Sequence, residues 1–237
     1  MKLYDDVLLR LTALLPAEPS KRAAYCETEC APEGEKDSFL MRADMAYELG
    51  GGGRASAEAV VFADLDGENS ETLLFGPDLD ELRFDVPFAH FTIVQLKETD
   101  PAALYSEQLK SVGFTVFQLS PAGYHVRISP VSCQEQVRVA KDALRMESPL
   151  SFINVGNSLI RAFLDRGDVS RVRTIFVTDP RADYKALSSL AIKVKRITDA
   201  VQSALQKDGL DCASCNMKPV CDEIDGLREL HFGKEGK

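Results

Sequence analysis

Cys212, Cys215 and Cys221 fall within ten residues as C-x-x-C-x5-C, in a chain with six cysteines. A C-x-x-C turn brings two thiolates onto one metal ion or cluster iron, and a third sulfur a few residues on can close on the same centre. The spacing therefore points to metal ligation rather than packing. A tetrathiolate centre needs one more donor, from Cys26, Cys30, Cys133 or His231. Cys26 and Cys30 are themselves spaced like a ligand pair on a turn, so one of these two is the expected fourth ligand. Cys133, read as the start of a helix, is expected to be a small packed hydrophobe. His231 follows a helical stretch over 222–230 and reads equally well as a surface residue. Spacing alone does not separate an iron–sulfur cluster from a zinc site built of four cysteines.

A second chemistry is anion binding. His125 and Arg127 share one face of an alternating segment and could meet a phosphate or carboxylate; an ordinary exposed polar face is the competing reading. Arg171 and Arg173 stand at the entrance of an apolar stretch, with Arg161, Arg166 and Arg181 close in sequence. They form either a guanidinium site for phosphates or a solvated basic face. The four glycines Gly50, Gly51, Gly52 and Gly53 are followed by Arg-Ala rather than Lys-Ser/Thr, so they make no phosphate loop, and a chain reversal accounts for them. None of the three histidines, His90, His125 and His231, sits in a nucleophile–base motif, which leaves ordinary hydrolase or transferase chemistry without support.

Composition bounds the partners. Twenty-eight basic residues against 37 acidic ones give a net charge of −9, which disfavours nucleic acid and anionic membrane surfaces. The charge is uneven: residues 27–85 hold sixteen acids and four bases, whereas residues 161–196 hold nine bases and four acids. No apolar run reaches the ~18 residues of a membrane span. The acidic start, Met1-Lys2-Leu3-Tyr4-Asp5-Asp6, is unlike a secretory signal, so a cytoplasmic location is expected. There the cysteines stay reduced, which argues against three disulfides.

The elements that must position these groups follow from periodicity. Leu3, Val7, Leu8, Leu11, Leu14 and Leu15 repeat at helical spacing up to Pro16. Residues 18–37 read as an irregular connection. Strands are expected at 59–63, 73–75, 88–96, 115–119, 124–129 and 172–177, the 88–96 run being apolar enough for a centre covered on both faces. Asp100-Pro101 predicts a helix start running to Gly113. Ser132 with Glu135 predicts a capping box for a helix to about residue 146. A further helix carries Phe152, Val155, Leu159 and Phe163. A last one starts at Asp179-Pro180, carries Leu187, Leu190, Val194, Ile197, Val201 and Leu205, and stops at Gly209. The fold class is α+β or α/β, a mixed β-sheet with flanking helices and a C-terminal cysteine-rich tail. The expected organisation is an N-terminal helix and loop (1–37), a core (38–207) and the tail (208–237).

Several stretches occur in the serial order of a known family: Glu48-Leu49-Gly50-Gly51, Phe75-Gly76-Pro77-Asp78-Leu79-Asp80-Glu81, Val126-Arg127-Ile128-Ser129, the helix around Val155-Gly156-Asn157-Ser158-Leu159, and Val172 through Thr178-Asp179-Pro180, then the C-x-x-C. Over residues 48–221 the chain resembles the beta subunit of the carbon monoxide dehydrogenase/acetyl-CoA synthase complex, at its linking domain and the threshold of its catalytic domain. The resemblance implies that Cys212 and Cys215 match the first cluster ligands and Cys221 the third, across a shorter gap than in the family. It favours a [4Fe–4S] cluster over zinc. The Cys-Gly-Cys segment that grips the distal nickel in the family has no counterpart here. What is implied is thus not a complete acetyl-CoA synthase but an accessory, electron-transfer or docking protein of anaerobic one-carbon metabolism. A corrinoid or carbon monoxide dehydrogenase-type protein would be its partner. The family's linking domain directs arginines toward coenzyme A, a role that would fall here on Arg127, Arg171 and Arg173.

Overall fold

A computed structural model describes residues 2–34, 43–97, 109–119, 121–129 and 131–206. Helix α1 (Asp5–Leu14) is followed by β1 (Lys21–Ala24), β2 (Ala46–Leu49), β3 (Ser56–Phe62), β4 (Glu71–Phe75) and β5 (Phe88–Leu96). Then come the short α2 (Leu109–Gly113), β6 (Tyr124–Ser129), β7 (Gln134–Ala140), α3 (Phe152–Leu164), β8 (Val169–Val177) and α4 (Tyr184–Gln206). The fold is α+β with a mixed sheet, as expected. A five-stranded sheet runs β1-β4-β8-β5-β3, and a separate three-stranded sheet runs β2-β7-β6. In the larger sheet β4 and β8 are parallel, as are β3 and β5, while the β1–β4 and β8–β5 pairs are antiparallel.

Strand parity assigns the faces of the large sheet. Ala57, Ala59, Val61, Phe91, Ile93 and Ile175 point to one side and join Val7, Leu11, Leu187, Leu190 and Val194 of α1 and α4 in a single apolar cluster. Leu74, Phe88 and Phe176 point to the other side, where Val137 and Val139 of the small sheet and Phe152 and Val155 of α3 close over them. Phe88, Phe152 and Phe176 form the centre of this second layer, with ring centroids 4.7–6.2 Å apart. Helix α3 fits tightly: a methyl at Gly156 would overlap the Thr72 side chain of β4. Its start is fixed by a capping box. Ser151 Oγ accepts from the Asn154 amide at 3.3 Å, and Asn154 Oδ1 accepts from the Ser151 amide at 3.0 Å. Gly76 makes the turn after β4 with φ 114°, where any side chain would strike the Asp179 backbone, so this position admits only glycine.

Several local expectations are corrected. Residues 132–146 do not begin a capped helix; they contain β7, in which Glu135, Val137 and Val139 point inward and Gln134, Gln136 and Arg138 outward. Ser132 caps nothing; its hydroxyl donates to Ser129 Oγ at 2.8 Å, and Glu135 is drawn into the interior. Cys133 lies in the turn before β7 with φ 50°, not at a helix start. The 115–119 segment is not a strand but a 3-10 turn (Phe114–Gln118) that buries Thr115 and Val116. Residues 18–37 hold β1, whose backbone pairs with β4 despite carrying Lys21 and Arg22. The last helix begins at Tyr184 rather than at Pro180; Asp183 Oδ1 caps it by accepting from the Ala186 amide at 2.9 Å. The start expected at Asp100-Pro101 lies outside the described residues, and α2 does end at Gly113.

Candidate functional site

Cys26 and Cys30 bracket a single 3-10 turn (Glu27–Glu29) that follows β1, and both keep extended backbone. Three side chains or carbonyls of α3 hold this turn. The buried Asn157 accepts from the Cys26 amide through Oδ1 at 3.3 Å and donates through Nδ2 to the Glu29 carbonyl at 3.3 Å. The Ala31 amide is shared between Ser158 Oγ at 2.9 Å and the Asn154 carbonyl at 3.0 Å. A buried amide side chain whose two ends are both spent on one loop fixes that loop's position, since leaving either end unpaired would cost free energy. Both thiols are free and half-buried. Cys26 Sγ lies 3.2 Å from Thr28 Oγ1. Burial pushes the Cys30 thiol up, opposed by the Arg161 guanidinium and a hydrogen bond with Ser158.

Either of these two sulfurs is placed to act as the fourth donor expected beside Cys212, Cys215 and Cys221. Cys212, Cys215, Cys221 and His231 lie outside the described residues. Among the described residues no group of three His, Cys, Asp or Glu side chains could hold a metal ion. Cys133 cannot join Cys26 and Cys30. Its carbonyl accepts from the Glu58 amide of β3 at 2.9 Å, at the opposite rim of the five-stranded sheet from β1. Four strand spacings separate the rims, roughly 19 Å. Cys133 is buried, as expected for a small packed side chain.

The three arginines named as anion ligands are not brought together. Arg171 and Arg173 alternate along β8 on the α1/α4 side of the large sheet, opposite Gln95 and Ile93. Arg173 Nε donates to Glu71 Oε1 at 2.6 Å, so its charge is already matched. Arg161 pairs with Glu33, Arg166 with Asp168 and Arg181 with Asp179. Within the basic segment 161–196 the guanidinium groups of Arg161, Arg166, Arg173 and Arg181 are thus matched by carboxylates. Arg127, with His125, stands instead on the outer face of the small sheet, where an open groove of about 480 Å³ is lined by Glu48, Gly51, His125, Arg127, Gln136, Val137 and Arg138.

A buried ionisable group that the sequence reading passed over links the two sheets. His90 Nδ1 donates to Glu135 Oε2 at 2.7 Å, and its Nε2 lies 3.0 Å from Thr174 Oγ1 and 3.1 Å from Thr92 Oγ1. Glu58 of β3 sits directly across from His90 in the parallel register. Burial alone would lower His90, but the Glu135 charge and hydrogen bond, with help from Glu58, hold it above its ordinary value. Burial foremost, then the Glu135 charge, push Glu58 up to about 7, against the opposing pull of His90. The available signal was a histidine and a threonine at alternate positions of an otherwise apolar strand. Their partner was hidden because Glu135 was assigned to a helix.

No protein-family model matches the chain, and no curated protein matches it.

Proposed function

We propose that this protein binds a [4Fe–4S] cluster through Cys212, Cys215 and Cys221, with Cys26 or Cys30 as fourth ligand. It then serves as an accessory, electron-transfer or docking protein in anaerobic one-carbon metabolism, as a stand-alone relative of the acetyl-CoA synthase beta subunit without the nickel site. The observation that carries this reading is the Cys26–Cys30 turn. Two unbridged thiols are presented on one loop that α3 clamps through Asn157 and Ser158. A cluster there would supply one-electron chemistry. The chain's own part is to present sulfur, and Arg161 beside Cys30 favours the thiolate form. Since the Cys30 thiol is held up by burial, metal uptake releases a proton and tightens as pH rises. The partner in this reading is a corrinoid or carbon monoxide dehydrogenase-type protein in the cytoplasm.

The test is an anaerobic preparation assayed for iron, sulfide and zinc, with Cys212→Ser, Cys26→Ser and Cys30→Ser beside it. About four irons per chain with matching sulfide, a broad visible band, and loss of both in Cys212→Ser and in one of the other two variants are expected. Stoichiometric zinc in a colourless protein favours the second reading, a zinc-stapled binding module without a redox role. Metal-free protein in every preparation defeats both. The coenzyme A reading on Arg127, Arg171 and Arg173 is weaker, because those residues stand on different sheets.

A further inference from the structure

The small sheet turns a polar face outward, and its register sets out the groups there in two rows. Across the strands, Glu48 of β2 stands beside Arg138 of β7, which stands beside His125 of β6; one row along, Gln136 of β7 stands beside Arg127 of β6. Alternation along each strand puts all five side chains on the same side, in the groove described above. The charges in it are not equivalent. Arg138 Nε donates to Glu48 Oε1 at 2.8 Å and a second guanidinium nitrogen donates to the same oxygen, so these two groups neutralise each other. Gly51 leaves room for that arrangement: a Cβ there would come within 2.6 Å of Glu48 Oε2, and the carboxylate would have to shift. Glu48 is the carboxylate in the groove lining, and it is thereby withheld from Arg127. No carboxylate of the described residues forms an ion pair with Arg127.

We infer that this groove binds the carboxylate or phosphate group of a small metabolite, with Arg127 as the anchoring cation and Gln136 and His125 as flanking hydrogen-bond donors. A guanidinium presents two parallel N–H donors to such an oxyanion, and a neutral amide beside it adds a third without adding charge. Burial, then the guanidinium groups of Arg138 and Arg127, lower the affinity of His125 for a proton. An anion placed beside the ring would restore some of that proton affinity. The groove's volume lies within the range of small-molecule sites, roughly 300–1,000 Å³. One unmatched cation in the groove, on a chain of net charge −9, is far too little for a nucleic-acid backbone. The site involves none of the cysteines, so it stands or falls separately from the metal reading.

The test follows the imidazole proton resonances of His125 in the full-length protein while inorganic phosphate or succinate is added, with sodium chloride at equal ionic strength as control. The buried His90 is the internal reference. Expected are a saturable His125 shift, an upward move of its titration midpoint with bound anion, and weakening by about tenfold or more in Arg127→Gln. Arg127→Lys should recover part of the binding, as a cation without the paired donors. A preference for phosphate or for succinate identifies which oxyanion the ligand carries. A linear response, one matched by chloride, or one unchanged in Arg127→Gln overturns the proposal. Arg127 is exposed, so its substitution leaves the fold, and hence the His90 reference, in place.

Discussion

At the scale of single residues, the groups with most at stake are Glu58, His90 and Glu135, three ionisable side chains gathered between two sheets, His90 and Glu135 fully buried and Glu58 partly so. A charge taken out of water costs free energy unless a partner offsets it, and here one histidine serves two carboxylates. Glu58 therefore holds its proton up to about pH 7 in the folded chain, against 4.5 ordinarily. Between those values the native state binds the extra proton, so stability falls as pH rises through that window. The full difference corresponds to about 3 kcal/mol. It is an upper figure because part of the Glu58 side chain reaches solvent. His90 acts in the same direction. Its contribution is complete below 6.5 and is lost as pH climbs through its raised folded value. Glu58→Gln should accordingly flatten the decline between pH 5 and 8 and gain up to about 3 kcal/mol at pH 8, measured by urea unfolding at each pH. An unchanged slope would show that Glu58 is not the group that titrates. His90 was open to recognition in the sequence as a polar intrusion in an apolar strand, whereas Glu58 and Glu135 were not, since their burial is decided by strands distant in the chain.

At the scale of elements, α3 does two jobs with neighbouring residues. Gly156 lets the helix settle onto Thr72, and Asn157 and Ser158 hold the cysteine turn. On an exposed helix Gly→Ala gains roughly 1 kcal/mol. Here Gly156→Ala should instead destabilise by roughly 1–3 kcal/mol through overpacking. Thr72 Oγ1 is buried without a hydrogen-bond partner among the described residues, so Thr72→Ala removes an unsatisfied group as well as bulk. Combined with Gly156→Ala it should recover part of the loss, and the urea double-mutant cycle should be clearly non-additive. The long elements, α1, α3, α4, β5 and β8, were legible because apolar periodicity over nine or more residues leaves little choice. β7 was not. Gln134-Glu135-Gln136-Val137-Arg138-Val139-Ala140 alternates as a strand should, but the Ser132/Glu135 pair imitated a helix start, and tertiary pairing with β2 and β6 decided the outcome. β1 and β2, four residues each, exist through ladder bonds to partners and carry no local signature.

At the scale of the whole molecule, residues 2–34 are woven into the core. α1 packs on α4 through the Tyr4–Thr198 hydrogen bond of 2.8 Å beside it, and β1 completes the large sheet. The second sheet was beyond the reach of the sequence, because two of its three strands were unrecognised. It is fastened to the first by reciprocal Ser56–Glu135 hydrogen bonds, by His90–Glu135, and by Gly50 and Glu48 bonding to the Val86 backbone. Amide exchange should therefore report one common opening free energy for β7 and β5. Ser56→Ala should lower protection in β7 more than in β5; equal loss in both would mean that this fastening holds nothing locally. The cysteine spacing was plain in the sequence, and the separate Cys26–Cys30 pair has a clear place in the fold. Cys212, Cys215 and Cys221 lie outside the described residues.

The large sheet ends at β1 on one side and β3 on the other. β1 shows solvent Lys21 and Arg22, tethered to Asp78 and Glu71, while the free margin of β3 is occupied by the Cys133 carbonyl and the Ser56–Glu135 contacts. Neither margin presents a bare, uncharged ladder to a passing copy of the chain. Templated stacking of concentrated native protein through these two margins should thus be disfavoured.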